Sequence, residues 1–455
     1  MVKTKAKKIH FVGIGGEGMS ALALVLRQRG WAVSGSDLHE NQKTQILRQH
    51  GVKVAIGHRP ENLDGAPEVV FSSAVSLGNV ELQVARERGR RVVHRLELLG
   101  RLMIEHFSIG VTGTHGKSTT AAMIAFLLTR AGLDPTFLLG ASCPALGGNA
   151  YAGMGKHLVA EIDESDGRFV GLQPELAVIT NIGIDHLNNY GSAEALYRGF
   201  AQFAARAGRL VLNADDPGSQ RLIVQACQGG PQPLLFGIEK ENANEADLRA
   251  TDIRHHEAWT SFKLVFRGKK VREVLLPAPG RHNVYNALAA LLVGWWLGLD
   301  LARIGRALRE FILPKRRFQI LKQGEILIVD DYAHLPEEVA AGLQAARHGW
   351  RPRRLIALFQ PHRFSRISYI NGRFARALDE ADLVLLTEVY PAGERPLPGV
   401  TARLIQKGLS RPNRLFTDHQ ELIAFLRGTL RPGDFLISFN AGDLWEVSHR
   451  LARQL

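Results

Sequence analysis

Phe107-Ser108-Ile109-Gly110-Val111-Thr112 runs directly into Gly113-Thr114-His115-Gly116-Lys117-Ser118-Thr119-Thr120, and a helical pattern continues to Ala131. A β-rich run, a glycine turn and a helix in that order make one βα unit of a parallel sheet. The loop departs from the strict G-x-x-x-x-G-K-[ST] pattern, because Gly110 stands one residue too early and leaves the shorter G-x-x-G-K-S. The physics is unchanged. Backbone amides over Gly113, Thr114, His115, Gly116 and Thr119 cradle phosphates, Lys117 reaches the β and γ oxygens, and the Ser118 hydroxyl is placed to hold Mg2+. A nucleoside triphosphate site is the expectation for this unit.

About a hundred residues earlier a second glycine loop opens another βα unit. Gly13-Ile14-Gly15-Gly16-Glu17-Gly18-Met19 follows the apolar run Ile9 to Val12, matches G-x-G-x-x-G through Gly13, Gly15 and Gly18, and has Asp37 at the end of the next strand. Such glycines let the backbone turn tightly and approach a diphosphate, while the acid can accept a ribose hydroxyl. Spacing alone leaves three readings open: NAD or FAD, another nucleotide diphosphate, or a structural turn.

Ligands of parallel sheets bind outside the carboxyl ends of the strands, where Ser118, Glu161 and His186 all fall. Glu161 begins Glu161-Ile162-Asp163-Glu164-Ser165-Asp166, and Asp185-His186 follows Ile179 to Ile182. A hydroxyl, a carboxylate and an imidazole are too few to cage Mg2+, but suffice when nucleotide oxygens and water complete the shell. Taken singly, His186 reads as a loop histidine with its hydrogen bonds met; beside the phosphate loop the ligand reading takes precedence.

Asn283 and Asn286 open an apolar helix at Gly280-Arg281-His282-Asn283-Val284-Tyr285-Asn286. N-capping explains one asparagine and leaves the second over. Asp330-Asp331-Tyr332-Ala333-His334 and Gln360-Pro361-His362-Arg363-Phe364-Ser365-Arg366 each follow a strand. The basic groups of the second stretch suit a carboxylate ligand, with Arg363 in bidentate fashion; a solvated strand-end loop is the competing reading.

The chain has 455 residues, 45% apolar and 22% charged. That is too long for one core, and a prior of roughly 150 residues per domain gives about three. Fifty-seven basic against 44 acidic residues give a formal charge of +13, which favours anionic partners without choosing among nucleic acid, membrane surface and phosphorylated small molecules. Aromatic and basic residues do not interleave as in nucleic-acid modules, so nucleic acid is not expected as a partner, and with no run long enough to span a bilayer neither is a membrane. Cys143 and Cys227 are the only cysteines, too few for a disulfide framework or a Cys-type zinc site. Glycines interrupt the apolar stretch after the basic start Met1 to Lys8, unlike a signal peptide. The longest apolar run, Ala287 to Leu299, is shorter than the ~20 residues of a membrane span and reads as a buried helix. A cytoplasmic protein is expected.

Taken together these stretches resemble the Mur ligases, the ATP-dependent amide-forming enzymes of peptidoglycan synthesis, and within them the branch that adds L-alanine. The resemblance rests on His10 to Ser20, Ser34-Gly35-Ser36-Asp37, Gly113 to Lys117, Glu161 to Asp166, Pro279 to Asn283, Asp330-Asp331-Tyr332, Phe359 to Arg363 and Val389 to Glu394. It implies an α/β protein of three domains: a Rossmann-like UDP-sugar domain over 1–104, a central P-loop ATPase domain with a mainly parallel sheet over 105–314, and a Rossmann-like domain over 315–455 that binds the amino acid and completes the ATP site.

By the same resemblance Lys117, Glu161 and His186 are catalytic, Lys117 on the ATP phosphates and Ser118, Glu161 and His186 on the metal (Mg2+, with Mn2+ as a substitute). Asn283 and Asn286 hold the nucleotide, joined by Arg317 and Asp331. Gly13, Gly15, Gly16, Gly18, Met19, Asp37 and Ser73 bind the UDP-sugar, which displaces the dinucleotide reading. His334, His362, Arg363 and Arg366 lie by the incoming amino acid. Leu335 stands where the branch usually carries a second histidine, Asn188 replaces an acid after His186, and Asn440-Ala441-Gly442-Asp443 replaces a glycine-first version. Other branches carry a carbamoylated lysine some fourteen residues after the metal histidine; Phe200 is there instead, which fits the alanine-adding branch. The expected reaction joins L-alanine to the carboxylate of UDP-N-acetylmuramate through an acyl phosphate, in a monomer or weak homodimer. Three rivals are carried: a wall-recycling ligase that adds a tripeptide to the same sugar, a nicotinamide-dependent dehydrogenase, and a basic nucleic-acid-binding ATPase.

Overall fold

The computed structural model describes residues 7–63, 65–227, 232–238, 246–370 and 372–455; most of the basic start at Met1 to Lys8 lies outside them, as does the side chain of Cys227. The chain is a three-domain α/β fold with mainly parallel sheets. By contacts it divides into two compact units. One runs through Leu248 and takes in Leu288–Ala307; the other holds Arg249–Ala287 and Leu308–Leu455.

The first unit begins with β1 (Lys8–Val12), β2 (Ala32–Asp37), β3 (Lys53–Ile56), β4 (Glu68–Phe71) and β5 (Arg91–His94), all parallel in the order β3-β2-β1-β4-β5. The order reverses beside β1, so the turn after Val12 lies at a topological switch point, where open α/β sheets bind ligands. The helix Glu17–Gln28 that follows buries eight successive residues, Met19 to Leu26. Such all-round burial marks an interior helix rather than a surface one.

Next come β6 (Phe107–Thr112), β7 (Thr136–Cys143), β8 (Gly148–Tyr151), β9 (His157–Glu161), β10 (Leu176–Ile179), β11 (Arg209–Asn213) and β12 (Leu234–Gly237), ordered β12-β11-β10-β6-β9-β7-β8. Only the β7/β8 pairing is antiparallel among those described. β6, the central strand, delivers the Gly113 loop to the carboxyl edge, and β9 brings Glu161 to the same edge beside it. The helix Ala193–Ala204 is capped by Ser192, which accepts from the Ala195 amide at 3.1 Å. It buries Leu196, Phe200 and Phe203 at helical spacing, and both phenylalanines pack on Phe169 at 5.2 and 5.3 Å. Aromatic pairs of this kind add about 0.5–1.5 kcal/mol beyond area burial. One continuous apolar cluster runs from Ile9 and Phe11 through Leu102, Leu158 and Phe200 to Leu235, which is why the first two sheets count as one compact body.

In the second unit β13 (Leu248–His256), β14 (Trp259–Phe266) and β15 (Lys269–Leu276) lie side by side, β14 and β15 antiparallel. A six-stranded sheet follows, built of β16 (Gln319–Lys322), β17 (Leu327–Asp331), β18 (Arg354–Phe359), β19 (Leu383–Thr387), β20 (Asn413–Phe416) and β21 (Asp434–Phe439) in the order β16-β17-β21-β18-β19-β20. All its pairings are parallel except the edge pair β16/β17. β17, β18 and β21 are buried on both faces and carry mainly apolar residues, as parallel strands between helical layers do. Among the described residues no helix is long and apolar enough to cross a membrane. The run from Ala287 is the buried part of the helix Arg281–Trp296.

Candidate active site

The loop after β6 is held by the strand beside it. Gly113 sits at φ +131, and a Cβ there would lie 2.3 Å from Thr180 Oγ1 and 2.8 Å from the Asn181 carbonyl oxygen, so only glycine passes between them. The Asn181 side chain accepts from the His115 amide at 2.9 Å and donates to the His115 carbonyl at 3.0 Å. Thr114 Oγ1 accepts from the Gly183 amide at 2.7 Å. Gly116 then caps the helix Lys117–Arg130 with no side-chain partner, which leaves the amides of the first turn to an anion.

Lys117 directs Nζ to the carbonyls of Gly113 and Thr114, at 2.6 and 3.2 Å, and to Glu164 Oε1 at 3.0 Å. Burial alone would weaken the ammonium; Glu164, Glu161 and Asp163 more than offset that and hold its pKa above the usual lysine value. Glu164 is buried, its carboxyl is pushed up to about 7 by that burial against the pull of Lys117, and Oε2 has no hydrogen-bond partner. Next to the lysine, Ser118 Oγ donates to Glu161 Oε1 at 3.0 Å, and Glu161 Oε2 accepts from the Gly140 amide at 2.6 Å. Serine and glutamate thus meet directly. A hydroxyl and a carboxylate, both oxygen donors, fit a hard divalent cation whose shell the nucleotide and water would complete. His186 lies at φ +56 and keeps Nε2 3.2 Å from Asp185 Oδ2. Among the described residues no three His, Cys, Asp or Glu side chains converge as a metal cluster of their own. Thr119 is buried in the same turn. Phe200 is fully buried, so that position presents apolar core.

The loop after β1 is fastened to β2. Amides of Gly13 and Ile14 donate to the Ser36 carbonyl at 2.8 and 2.9 Å, and the Gly15 amide donates to Asp37 Oδ2 at 2.8 Å. Gly16 caps the helix without a side-chain bond and Gly18 lies in its first turn, while Met19 packs in the core. Ser36 Oγ in turn donates to Glu81 Oε2 at 2.6 Å; that buried carboxylate also takes His10 Nε2 at 3.2 Å, Asn62 Nδ2 at 2.6 Å and the Arg59 amide at 2.9 Å. Four donors saturate Glu81 and hold its pKa below the usual range despite the burial that opposes them. Ser73 bonds His94 Nε2 at 2.9 Å and donates to Asp166. Burial drives His94 down to about 4, so it is neutral at ordinary pH.

In the second unit Asn283 and Asn286 are both buried. Asn283 Nδ2 donates to the Pro279 carbonyl at 2.7 Å, and Asn286 Nδ2 donates to Asn283 Oδ1 at 3.2 Å, so the first asparagine orients the second. Asp331, at the end of β17, accepts from the amides of Ala333 at 2.9 Å and Phe318 at 3.2 Å. Burial pushes its carboxyl up to about 7, with Arg317 opposing. Arg316 and Arg317 both lie over the Tyr332 ring, at 5.1 and 5.2 Å. Arg316 also bonds Asp330 at 3.1 Å and the Asn440 carbonyl at 2.8 Å.

The four basic residues expected at the amino acid come together in part by direct contact. The rings of His334 and His362 are 5.7 Å apart, His362 stacks on Tyr390, and buried Arg366 places Nη1 3.0 Å from His362 Nδ1. Arg363, at φ +70, donates its amide to the Tyr390 carbonyl at 2.9 Å. A cleft of about 250 Å³ opens beside them, with Gln360, Glu388, Tyr390 and Asp443 among its walls. Leu335 is 1% exposed and packs with Val339 and Leu343. The side chain at that departure therefore joins the core.

Reading by residue type missed Glu164, Gly140, Asn181 and Glu81. Glu164 lies inside the acidic run Glu161 to Asp166, while the others carry no local signal.

The Mur ligase family profiles cover almost the whole chain. The catalytic domain matches residues 8–107, the middle domain 111–294 and the glutamate ligase domain 316–442. The chain is 44% identical to the UDP-N-acetylmuramate–L-alanine ligase of Symbiobacterium thermophilum, over 99% of this chain and 95% of that one. It is also 44% identical to the enzyme of the same name from Gloeobacter violaceus, over 98% and 95%. Among solved structures, the UDP-N-acetylmuramate–alanine ligase of Thermotoga maritima superposes with a TM-score of 0.83 at 32% identity, over 98% of both chains. A murein peptide ligase from Psychrobacter arcticus shares the fold, with a TM-score of 0.71 at 24% identity over 98% of both.

Proposed function

The chain belongs to the Mur ligase family, and on that premise we propose how its residues divide the work of an ATP-dependent ligase that joins L-alanine to the carboxylate of UDP-N-acetylmuramate in peptidoglycan synthesis. The full-length identity to alanine-adding ligases carries this reading. It also sets aside the tripeptide-adding ligase, the dehydrogenase and the nucleic-acid ATPase.

Each of three domains takes one ligand. Residues 1–104 bind the UDP-sugar, 105–314 bind ATP, and 315–455 bind the amino acid and contribute Arg317 and Asp331 to the nucleotide. Gly13, Gly15, Gly16, Gly18, Met19, Asp37 and Ser73 form the UDP-sugar site; the uncapped helix start at Gly16 supports it, since amides and dipole favour a diphosphate there. Gly113 to Thr119, with Asn283 and Asn286, hold ATP.

The muramyl carboxylate attacks the γ-phosphorus, ADP leaves, and an acyl phosphate forms. The ammonium of L-alanine gives up a proton, the free amine attacks the acyl carbon, inorganic phosphate departs carrying the second N–H proton, and the amide bond is made. Carboxylate and triphosphate repel each other, so charge neutralisation and positioning dominate the rate enhancement. Lys117 supplies one fixed positive charge at the β and γ oxygens. Ser118, Glu161 and His186 would hold Mg2+, which when bound neutralises charge on the transferring phosphoryl group. Arg366 and Arg363 take the alanine carboxylate, with His334 and His362 beside its amine. The protein works in the cytoplasm, as a monomer or weak homodimer, with neither nucleic acid nor membrane as a partner.

ADP and phosphate release decides. Formation with UDP-N-acetylmuramate, Mg2+ and L-alanine, above that with glycine, L-serine or the tripeptide, is the expected result. Release with the tripeptide alone would reassign the acceptor, and no ADP with any amine would remove the ligase activity.

A further inference from the structure

The glycine loop at residues 13–18 has a charge deficit as a diphosphate site. A diphosphate brings at least two negative charges, and the helix start offers roughly half a positive one. Glu17 and Asp37 stand at the same loop and add negative charge. Lys43 is engaged by Glu17 at 2.6 Å, and the Gly15 amide by Asp37. A cation beyond Lys43 facing the loop would offset that charge.

Arg95 is in place to be that cation. It is the first residue of the helix Arg95–Ile104, directly after β5. Its guanidinium lies against the loop: a Cβ built on Gly18 would come within 3.1 Å of Nη1 and 3.8 Å of Cζ. Among the described residues its one hydrogen bond runs from Nη2 to Asp163 Oδ2 at 2.9 Å, which leaves Nε and Nη1 without an acceptor there. Asp163 is 44% exposed against 15% for Arg95, so the carboxylate end of the pair keeps access to solvent and can be exchanged for another anion. An arginine fork presented to phosphate binds in bidentate fashion, a stronger contact than an exposed ion pair.

We propose that Arg95 is a further substrate-binding residue, whose guanidinium leaves Asp163 to take the diphosphate of the nucleotide sugar at Gly18. This rests on the UDP-sugar reading of the loop. It adds a link between the two phosphate sites, because Asp163 lies between Glu161, at the metal position, and Glu164, the partner of Lys117. The alternative is a staple role, in which Arg95 only ties the helix Arg95–Ile104 to the segment of residues 161–166.

Calorimetric titration of the full chain with UDP, UDP-N-acetylglucosamine and UDP-N-acetylmuramate separates these. UDP and UDP-N-acetylglucosamine carry the diphosphate but lack the lactyl carboxylate. Arg95→Gln should weaken all three by the same factor, about 10- to 100-fold, the worth of a hydrogen bond to a charged group. Affinity for a non-hydrolysable ATP analogue should not change, which certifies the fold. Asp163→Asn should leave UDP affinity intact or raise it, since it weakens the competitor for the Arg95 guanidinium; a staple would lose affinity in both variants alike. Should Arg95→Gln fail to fold, Arg95→Lys keeps the charge without the fork and should show a smaller loss for all three ligands. Unchanged UDP affinity in the arginine variants, a loss confined to UDP-N-acetylmuramate, or an equal loss in Asp163→Asn overturns the assignment. If the unaltered chain binds none of the three, the UDP-sugar reading itself fails, and this inference with it.

Discussion

The Lys117 ammonium and the Glu164 carboxylate lie 3.0 Å apart, and the other two lysine donors go to the carbonyls of Gly113 and Thr114. All three N–H groups are therefore committed, and the amine is fixed over the loop its own residue closes. Lysine entropy is already lost before nucleotide arrives, so in the proposed role the phosphate oxygens would meet a preorganised charge. Lys117→Ala should lower turnover by at least about a thousandfold, the scale of losing a principal transition-state electrostatic contact. UDP-N-acetylmuramate affinity should be retained, because no part of the first glycine loop touches Lys117 among its hydrogen bonds. Phosphate release and calorimetry on the same preparation check both halves. A variant that turns over normally would take Lys117 out of the mechanism. The unfolding temperature should fall as well, because Glu164 is left buried without its cation.

Gly140 touches the same site from β7. A Cβ on it would lie 2.4 and 2.5 Å from the two oxygens of Glu161. Those atoms end a flexible side chain, so the carboxylate rather than the backbone gives way. Gly140→Ala should then fold normally but lose the Ser118 to Glu161 contact, raise the Mg2+ concentration needed for half-maximal rate, and cut turnover about 10- to 100-fold, as small misplacements of catalytic groups do. Magnesium titration of ADP formation reads this. An unaltered magnesium dependence would separate Glu161 from the metal.

Asp37 serves the loop before it serves a ligand. Its Oδ2 accepts from the Gly15 amide at 2.8 Å and its Oδ1 from the His39 amide at 3.4 Å. Asp37→Ala removes the acceptor that orders Gly15 as well as the group proposed to face the ribose. UDP-N-acetylmuramate affinity should drop about tenfold or more, the value of one hydrogen bond to a charged acceptor. Asp37→Asn, which keeps an acceptor oxygen, should fall between. The KM for ATP should hold steady in both, and a shift there instead of in sugar affinity would contradict the division between the two loops.

Much of this was legible because parallel strands advertise themselves. Ile9 to Val12, Phe107 to Thr112 and Leu355 to Phe359 are short apolar runs that end at glycine or polar punctuation, and the structure puts strands there. Edge strands were harder. Lys53–Ile56, Lys-Val-Ala-Ile at the sheet edge and partly exposed throughout, is only four residues long and was passed over. Gly148–Tyr151, likewise at an edge, was also passed over. Site residues whose chemistry lies in their own side chain and local loop, such as Lys117 and Ser118, stood out. Those acting through a distant partner did not. Gly140 matters for the space beside Glu161, twenty-one residues on. Glu81 matters for Ser36, forty-five residues back, and Arg316 for Asn440, one hundred and twenty-four residues on. Nothing in local spacing encodes such pairs; only the sheet order does.

Asp331 gives the pH test. Its carboxyl ends β17 at 9% exposure, and burial lifts it to about 7 from an ordinary value of 3.8, with Arg317 and the Ala333 amide pulling the other way. The folded state thus holds this proton more tightly than the unfolded chain does. Stability from that proton is complete below pH 3.8 and drains away as pH rises through about 7. At 1.36 kcal/mol per pKa unit the swing is a few kcal/mol at most, on the order of 4. Asp331→Asn carries no titrating group there and keeps an oxygen for one of the two amides. Its unfolding temperature, measured against the unaltered chain, should compare least favourably near pH 4 and gain steadily up to pH 8. A difference between the two proteins that stays constant across that range would mean the carboxylate is already ionised in the folded state at pH 4. Arg317 would then be the stronger influence, and Arg317→Ala should restore the slope.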